Sequence, residues 1–254
     1  MNSIRTNQRG LSLISLLIAL TIGVFLLAGL FDLWLQTRNT FLAQGSLAQL
    51  QDNERMALTV MANTIQSAGY YPLAENYATT PPPTPWNTLN AFPANTQFAT
   101  AGQYIVGTTG TAPASDTIVV RYMTDKNNLN EFDCLGQTHA DDTLVTNTYT
   151  SDGTNLTCQV VSTTAGGAAT TAGPLPVVAG VTQISALYGI DPTGTGSVTE
   201  YLDGSAVTNT NWPYVRSVSV QLTFKNPLSG QVGQSKASFT VTRVISIPQT
   251  SVSI

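Results

Sequence analysis

The chain has 254 residues, of which 42% are hydrophobic and only 9% are charged, and its formal net charge is −4. This length is enough for one domain with a sizeable core. Its ten basic residues are scattered, which argues against direct nucleic-acid binding, because that requires Lys and Arg clustered on one surface.

The most apolar part of the chain lies near its N-terminus. An uncharged run extends from Gly10 to Phe31, between Arg9 and Asp32, and about 20 apolar residues let a helix cross a bilayer. A removable secretory signal has a shorter apolar core and a small-residue cleavage site after it, and the sequence shows neither. The basic residues Arg5 and Arg9 favour a cytoplasmic N-terminus. We therefore predict a single-span anchor over residues 11–31, with the following domain in the periplasm.

The anchor is predicted to continue as a helix from Leu11 to about Ala68. No proline occurs before Pro72, and apolar side chains recur at helical spacing. They are Leu47, Leu50, Leu58, Met61 and Ile65. Gly69 and Pro72 are typical of a helix end. Residues 32–69 are therefore predicted to form an amphipathic continuation of the helix.

Residues 70–100 are rich in proline and small polar residues and are predicted to form a loop laid over a surface. The run from Pro81 to Pro83 predicts a rigid connector, with a polyproline segment that binds a partner as the alternative.

After residue 101 the pattern predicts strands. Six segments are rich in β-branched and aromatic residues: DTIVVRYMT, TLVTNTYT, NLTCQVVS, GVTQISALYGI, YVRSVSVQLTF and ASFTVTRVISI. The alternation from Val215 to Phe224 slips near Arg216. Because no helical pattern intervenes, we predict an antiparallel sheet. The fold class is therefore α+β, with a long N-terminal helix packed on a β-rich head over residues 101–254.

The two cysteines, Cys134 and Cys158, follow the anchor and are expected in the oxidising periplasm. We predict one disulfide, which stabilises the fold by roughly 3 to 4 kcal/mol in the entropy model. A metal pair is the alternative, but lone cysteines without a neighbouring His make a poor zinc site.

The sequence offers little catalytic chemistry. His139 is the only histidine, and without others neither a Ser-His-Asp nor a Cys-His arrangement can be built elsewhere. Asp133, Asp141 and Asp142 cluster near Cys134, and we interpret them as a solvated loop rather than a cation site or acid-base pair. No phosphate loop or dinucleotide fingerprint is present. We predict no enzyme activity and no cofactor.

One loop resembles a calcium-binding loop in its spacing. Asp191, Thr193, Thr195 and Gly196 occupy the first, third, fifth and sixth positions of an EF-hand-like pattern, but the twelfth is Leu202. Most of the negative charge that calcium needs is missing, so we predict a Gly-rich turn over residues 191–203 and no metal.

The junction "RG" immediately before the apolar run resembles the class III signal of type IV pilins and pseudopilins. The resemblance implies that residues 1–10 are a leader, cleaved after Gly10 by prepilin peptidase. It further implies N-methylation of Leu11, where most pilins have Phe, and retention of the apolar segment as a filament core. An ordinary single-span anchor would explain the run but not the junction.

Further segments narrow the resemblance to the PilW family of minor type IV pilins. They are RGLSLISLLIALTIGVFLLAGLFDLWLQTRNTF, LAQLQDNERMALTVMANTIQSAGYY, GVTQISALYGIDPTGTG and WPYVRSVSVQLTF. Residues 72–175 match nothing recognisable. The family's loop after "YG" is often richer in Asp. Nearly all pilins carry Glu at the position of Ser15, where it neutralises the N-terminal amine of a neighbouring subunit.

The resemblance implies a minor pilin that primes or caps a type IV pilus near its tip. Its partners would be other minor pilins, the major pilin and prepilin peptidase, and its location the inner membrane and then the pilus. A minor pseudopilin of type II secretion is one alternative. A single-span periplasmic enzyme or binding protein is the other, and a stably uncleaved N-terminus would favour it.

Overall fold

The computed structural model describes residues 13–72, 87–111, 114–125, 131–140, 142–164, 167–231, 234 and 236–248. The chain divides into two compact units, Met1–Ala48 and Gln49–Ile254. Helix α1 (Leu13–Gln66) contributes to both units and ends two residues before the predicted Ala68. Gly69 follows with φ +81°, a conformation that favours glycine. A Cβ there would also lie 2.9 Å from the Tyr104 ring.

The second unit contains two antiparallel sheets. In the first, β1 (Ile105–Thr108), β2 (Thr117–Met123), β3 (Thr143–Ser151), β4 (Asn155–Thr164) and β5 (Ala169–Ala179) pair in chain order. In the second, the order is β7-β6-β8-β9, formed by β6 (Val181–Ile190), β7 (Glu200–Asp203), β8 (Val215–Lys225) and β9 (Ser238–Ser246). Short helix α2 (Thr88–Ala91) and a 3-10 turn (Trp212–Tyr214) lie in the connections. The predicted α+β class is confirmed.

All six predicted segments are strands, but β1, β5 and β7 were not predicted. Strands β1 and β7 have four residues each, too few for a clear alternation. Strand β5 contains Pro174 and Pro176, and proline argues against a central strand because it has no N–H to donate. β5 is an edge strand of its sheet, where proline is tolerated.

The part of α1 in the second unit packs through a face centred on small residues. Its buried side chains are Ala57, Met61, Ala62, Thr64 and Ile65. Leu50 and Leu58, which the spacing also assigned to this face, are only partly buried. Polar contacts also hold the helix against the sheets. Thr64 Oγ1 lies 2.7 Å from the Tyr149 hydroxyl, and the side-chain amide of Asn53 donates to the Ala179 carbonyl at 3.1 Å.

The two sheets are joined at the start of β2. Strand β7 pairs only with the second half of β6. Asp116 lies at the same edge of β6, before the residues that pair with β7. The Asp116 amide donates to the Ile184 carbonyl at 3.0 Å, and its carboxylate accepts from the Ala186 amide at 2.8 Å. Asp116 is 6% exposed, so these bonds satisfy buried groups of both partners. One apolar core extends across both sheets.

Candidate assembly site

The N-terminal part of α1 is an apolar helix without a packing partner among the described residues of its own unit. The structure contains one helix that is long and apolar enough to cross a membrane, among the residues described, and none of its most apolar window is buried. Leu13, Phe25 and Leu27 are 78%, 79% and 67% exposed. Such a surface is stable only in lipid or against other protein.

The predicted processing residues, Gly10 and Leu11, lie outside the described residues. Ser15 lies on the exposed apolar helix. Its side chain is a hydroxyl, so it brings no negative charge to this surface.

The predicted disulfide between Cys134 and Cys158 is formed, with Cα atoms 6.3 Å apart. It ties the loop before β3 to the middle of β4. The Cys134 amide donates to the buried Asn147 side chain at 2.9 Å, so a hydrogen bond also fixes the loop at this position.

The interpretation of Asp133 as part of a solvated loop is wrong. Asp133 is 5% exposed, and its Oδ1 accepts from the backbone amides of Leu135 (2.8 Å) and Gln137 (2.9 Å). Its Oδ2 lies 2.8 Å from Nε2 of His139. This carboxylate therefore organises the turn beside the disulfide. Asp141 lies outside the described residues, and Asp142 adopts a positive φ of 53°.

The calcium-like loop is organised around the carboxylate of Asp191, which is fully buried. Its oxygens accept from the amides of Thr195 (3.1 Å) and Gly196 (2.7 Å) and from the hydroxyls of Thr193 (3.2 Å) and Thr195 (3.3 Å). Desolvation raises the pKa of Asp191, but these hydrogen bonds outweigh it and leave the pKa below its ordinary value.

Arg216 supplies a cation to the same carboxylate, with Nε 3.4 Å from Asp191 Oδ2. The position of Arg216 follows from a β-bulge, since Gly189 pairs with Ser217 and Ile190 with Val215, which leaves Arg216 unpaired. This bulge is the slip that the sequence indicated. The groups around the Asp191 carboxylate are hydrogen-bond donors and a guanidinium. They stabilise the negative charge of this carboxylate. Among the described residues no cluster of three or more metal-ligating side chains occurs.

The structural role of Arg121, which is fully buried on β2, was not predicted from the sequence. Its guanidinium donates to three backbone carbonyls, those of Gln103 (2.7 Å), Pro93 (2.8 Å) and Phe92 (3.1 Å). It also stacks 3.9 Å from the centroid of Phe98. Burial lowers the pKa of Arg121 to about 10, so it stays charged at neutral pH. The signal was an arginine inside an otherwise apolar strand.

Comparisons with known proteins find two family matches and one similar solved structure. Residues 137–251 match the family described as "Type IV Pilus-assembly protein W", and residues 5–31 match the prokaryotic N-terminal methylation motif. The first match includes residues 137–175, for which no resemblance was recognised in the sequence. A type IV-like pilin from Thermus thermophilus is structurally similar, with 13% identity, a TM-score of 0.45, and coverage of 78% of this chain and 95% of that one. No curated protein matches the sequence. The chain therefore carries the prokaryotic N-terminal methylation motif on its apolar helix and a PilW-type domain in its head.

Proposed function

We propose that this chain is a minor pilin that primes or caps the assembly of a type IV pilus and is located near the pilus tip. Its role is structural rather than enzymatic. The observation that carries the proposal is Ser15, which occupies the position of the usual pilin Glu on an exposed apolar helix.

The electrostatic argument concerns subunits that repeat along a shaft. Each such subunit buries the N-terminal amine of a neighbour in an apolar filament core, where an unpaired charge is costly. Ser15 offers a hydroxyl in place of a countercharge, so a homopolymer would meet this cost at every interface. A subunit used once, with no neighbour that requires its carboxylate, avoids it.

In this proposal residues 1–10 are a leader that prepilin peptidase removes after Gly10, and Leu11 becomes the methylated N-terminus. Residues 11–31 cross the inner membrane once, with the head in the periplasm, and later join the filament core. The partners are other minor pilins and the major pilin. The low and scattered positive charge supports partners other than nucleic acid.

The test compares cells that carry the wild-type protein, a deletion and the variant Ser15→Glu. We expect pili to be lost on deletion and the tagged protein to label one end of each pilus in electron micrographs. Ser15→Glu should increase incorporation into the shaft, because it restores the countercharge. Labelling along the whole shaft at major-pilin abundance would disprove the tip assignment. Normal pili with failed protein secretion on deletion would assign the chain to a type II secretion system instead.

A further inference from the structure

An aromatic and cationic cluster lies where the apolar part of α1 ends. The rings of Phe31 and Trp34 stack with centroids 6.0 Å apart at an interplanar angle of 28°. The Arg38 guanidinium lies over the Trp34 ring, with Cζ 5.7 Å from the ring centroid. Both rings are more than half exposed, so the cluster faces the surroundings of the helix.

The charge of Arg38 is not matched by a carboxylate among the described residues. Between Arg9 and Arg55 it is the only cation in the sequence, and Asp32 is the nearest anion. Positions 32 and 38 do not share a helix face, because neighbours on a helix are three or four residues apart. Since Trp34 orients the guanidinium, Arg38 presents a positive charge that an external anion can bind.

The depth of this cluster follows from helix geometry. From Leu13 to Trp34 helix α1 rises about 32 Å at 1.5 Å per residue, and the hydrocarbon core of a bilayer is about 30 Å thick. With Leu13 at the cytoplasmic boundary, Trp34 lies at the opposite boundary, where Trp is enriched. Arg38 is one turn further, about 6 Å along the axis, at the level of the phosphates.

We propose that Trp34 and Arg38 form a binding site for phospholipid headgroups on the periplasmic side of the inner membrane. The indole lies at the glycerol level and the guanidinium donates to the lipid phosphate. The site fixes the depth of α1 in the bilayer. This inference rests on the proposed function only in that α1 spans the bilayer.

The first measurement is the depth of Trp34 in the full chain, reconstituted into equimolar phosphatidylcholine and phosphatidylglycerol vesicles. Brominated lipids quench tryptophan near the bromine, and the difference between the wild type and Trp34→Phe isolates the signal of Trp34. Bromine near the glycerol should quench this signal at least about twofold more than bromine near the chain ends. As a ruler, Phe41→Trp should add a tryptophan that neither lipid quenches.

The second measurement tests Arg38. The full chain extracted from the same vesicles should retain phosphatidylglycerol in native mass spectrometry. Arg38→Gln should reduce this retention about fivefold, as expected for losing one cation near a lipid surface. Arg38→Lys should retain most of the lipid. Arg55→Gln removes the same charge from the second half of α1 and should leave retention unchanged. Added inorganic phosphate should not displace the lipid.

The outcomes separate the inference from the proposed function. A chain that does not float with the vesicles would contradict the membrane anchor itself. A chain that floats, but whose Trp34 is quenched mainly by chain-end bromine, would overturn the headgroup site alone. Equal lipid retention in Arg38→Gln and Arg55→Gln, or displacement by inorganic phosphate, would also overturn it.

Discussion

At the residue scale, buried charged and polar groups organise the head more than sequence patterns suggest. Arg121, Asp116, Asp133 and Asp191 are all nearly or fully buried, and each binds backbone groups of a loop or a neighbouring strand. Burying such groups is costly unless every one finds a partner. Each of them therefore fixes the local path of the chain, and replacing one leaves several partners without a hydrogen bond.

Replacement of Arg121 should destabilise the head strongly. Arg121→Met leaves three carbonyls without their donor, and we expect a loss of about 3 kcal/mol in the free energy of unfolding. Arg121→Lys should lose less, because a lysine keeps the charge but not the planar set of donors. Urea unfolding of the full chain in detergent, followed by near-ultraviolet circular dichroism, measures both. Arg243→Met, at an exposed position of β9, is the control. If Arg121→Met unfolds at the same urea concentration as this control, the role assigned to Arg121 is wrong.

Asp191 predicts a defined response to acid and to calcium. The pKa values of Asp191, Asp152 and Asp203 are lowered in the folded state. Their stabilisation is therefore complete above the unfolded-state pKa, near 4, and is lost as the pH falls through the lower folded values. We expect the urea midpoint to stay constant from neutral pH to about pH 5 and to fall below about pH 4.

The Asp191→Asn variant should lose part of this acid dependence, whereas Glu200→Gln, at an exposed position of β7, should keep it. Calcium or a chelator should leave the wild-type midpoint unchanged, because Arg216 and donor groups already surround the carboxylate. A rise of several degrees in Tm with calcium would contradict this description of the loop.

At the element scale, the two long edge strands differ in how they are protected against pairing with other chains. Strand β5 contains two prolines, which remove donors from its edge. Strand β9 has nine residues and no proline.

The hydrogen bonds of β9 to β8 alternate along the strand. The Ile247 amide donates to the Arg216 carbonyl and the Asn226 amide to the Ala237 carbonyl. Given the register of β8 with β9, odd-numbered residues of β9 bond to β8, and even-numbered ones direct their N–H outward.

This alternation predicts that proline destabilises the head to different extents at two adjacent exposed positions of β9. Thr242→Pro removes an N–H that does not bond to β8, so it should cost about 1 kcal/mol. Arg243→Pro removes a bond to β8 and should cost about 3 kcal/mol or more. Both side chains are exposed, so lost packing does not confuse the comparison. Urea unfolding measures the difference, and equal costs would show that the register or the bonding pattern is wrong.

At the scale of the whole molecule, the proposed processing step separates a pilin from an ordinary anchored protein. Gly10→Val places a β-branched side chain at the cleavage junction, and we expect a full-length precursor to accumulate in the inner membrane. Intact mass measurement of the membrane-extracted protein identifies the mature N-terminus. Ser3→Val, inside the leader and away from the junction, is the control and should be processed normally. A wild-type protein that retains residues 1–10 would contradict the pilin-type processing.

The sequence by itself determined the long apolar helix, the class of the fold, six strands and the cysteine pairing. These features depend on local periodicity and on composition, which are visible along the chain. Even the bulge at Arg216 was visible, as a slip in the alternation. The fold decided the rest. The carbonyl cluster around Arg121 and the ion pair of Arg216 with Asp191 join residues that are far apart in sequence. The burial of Asp133 was hidden because this residue lies in a polar loop. Whether a charged side chain is solvated or buried depends on donors that only tertiary packing brings within hydrogen-bonding distance.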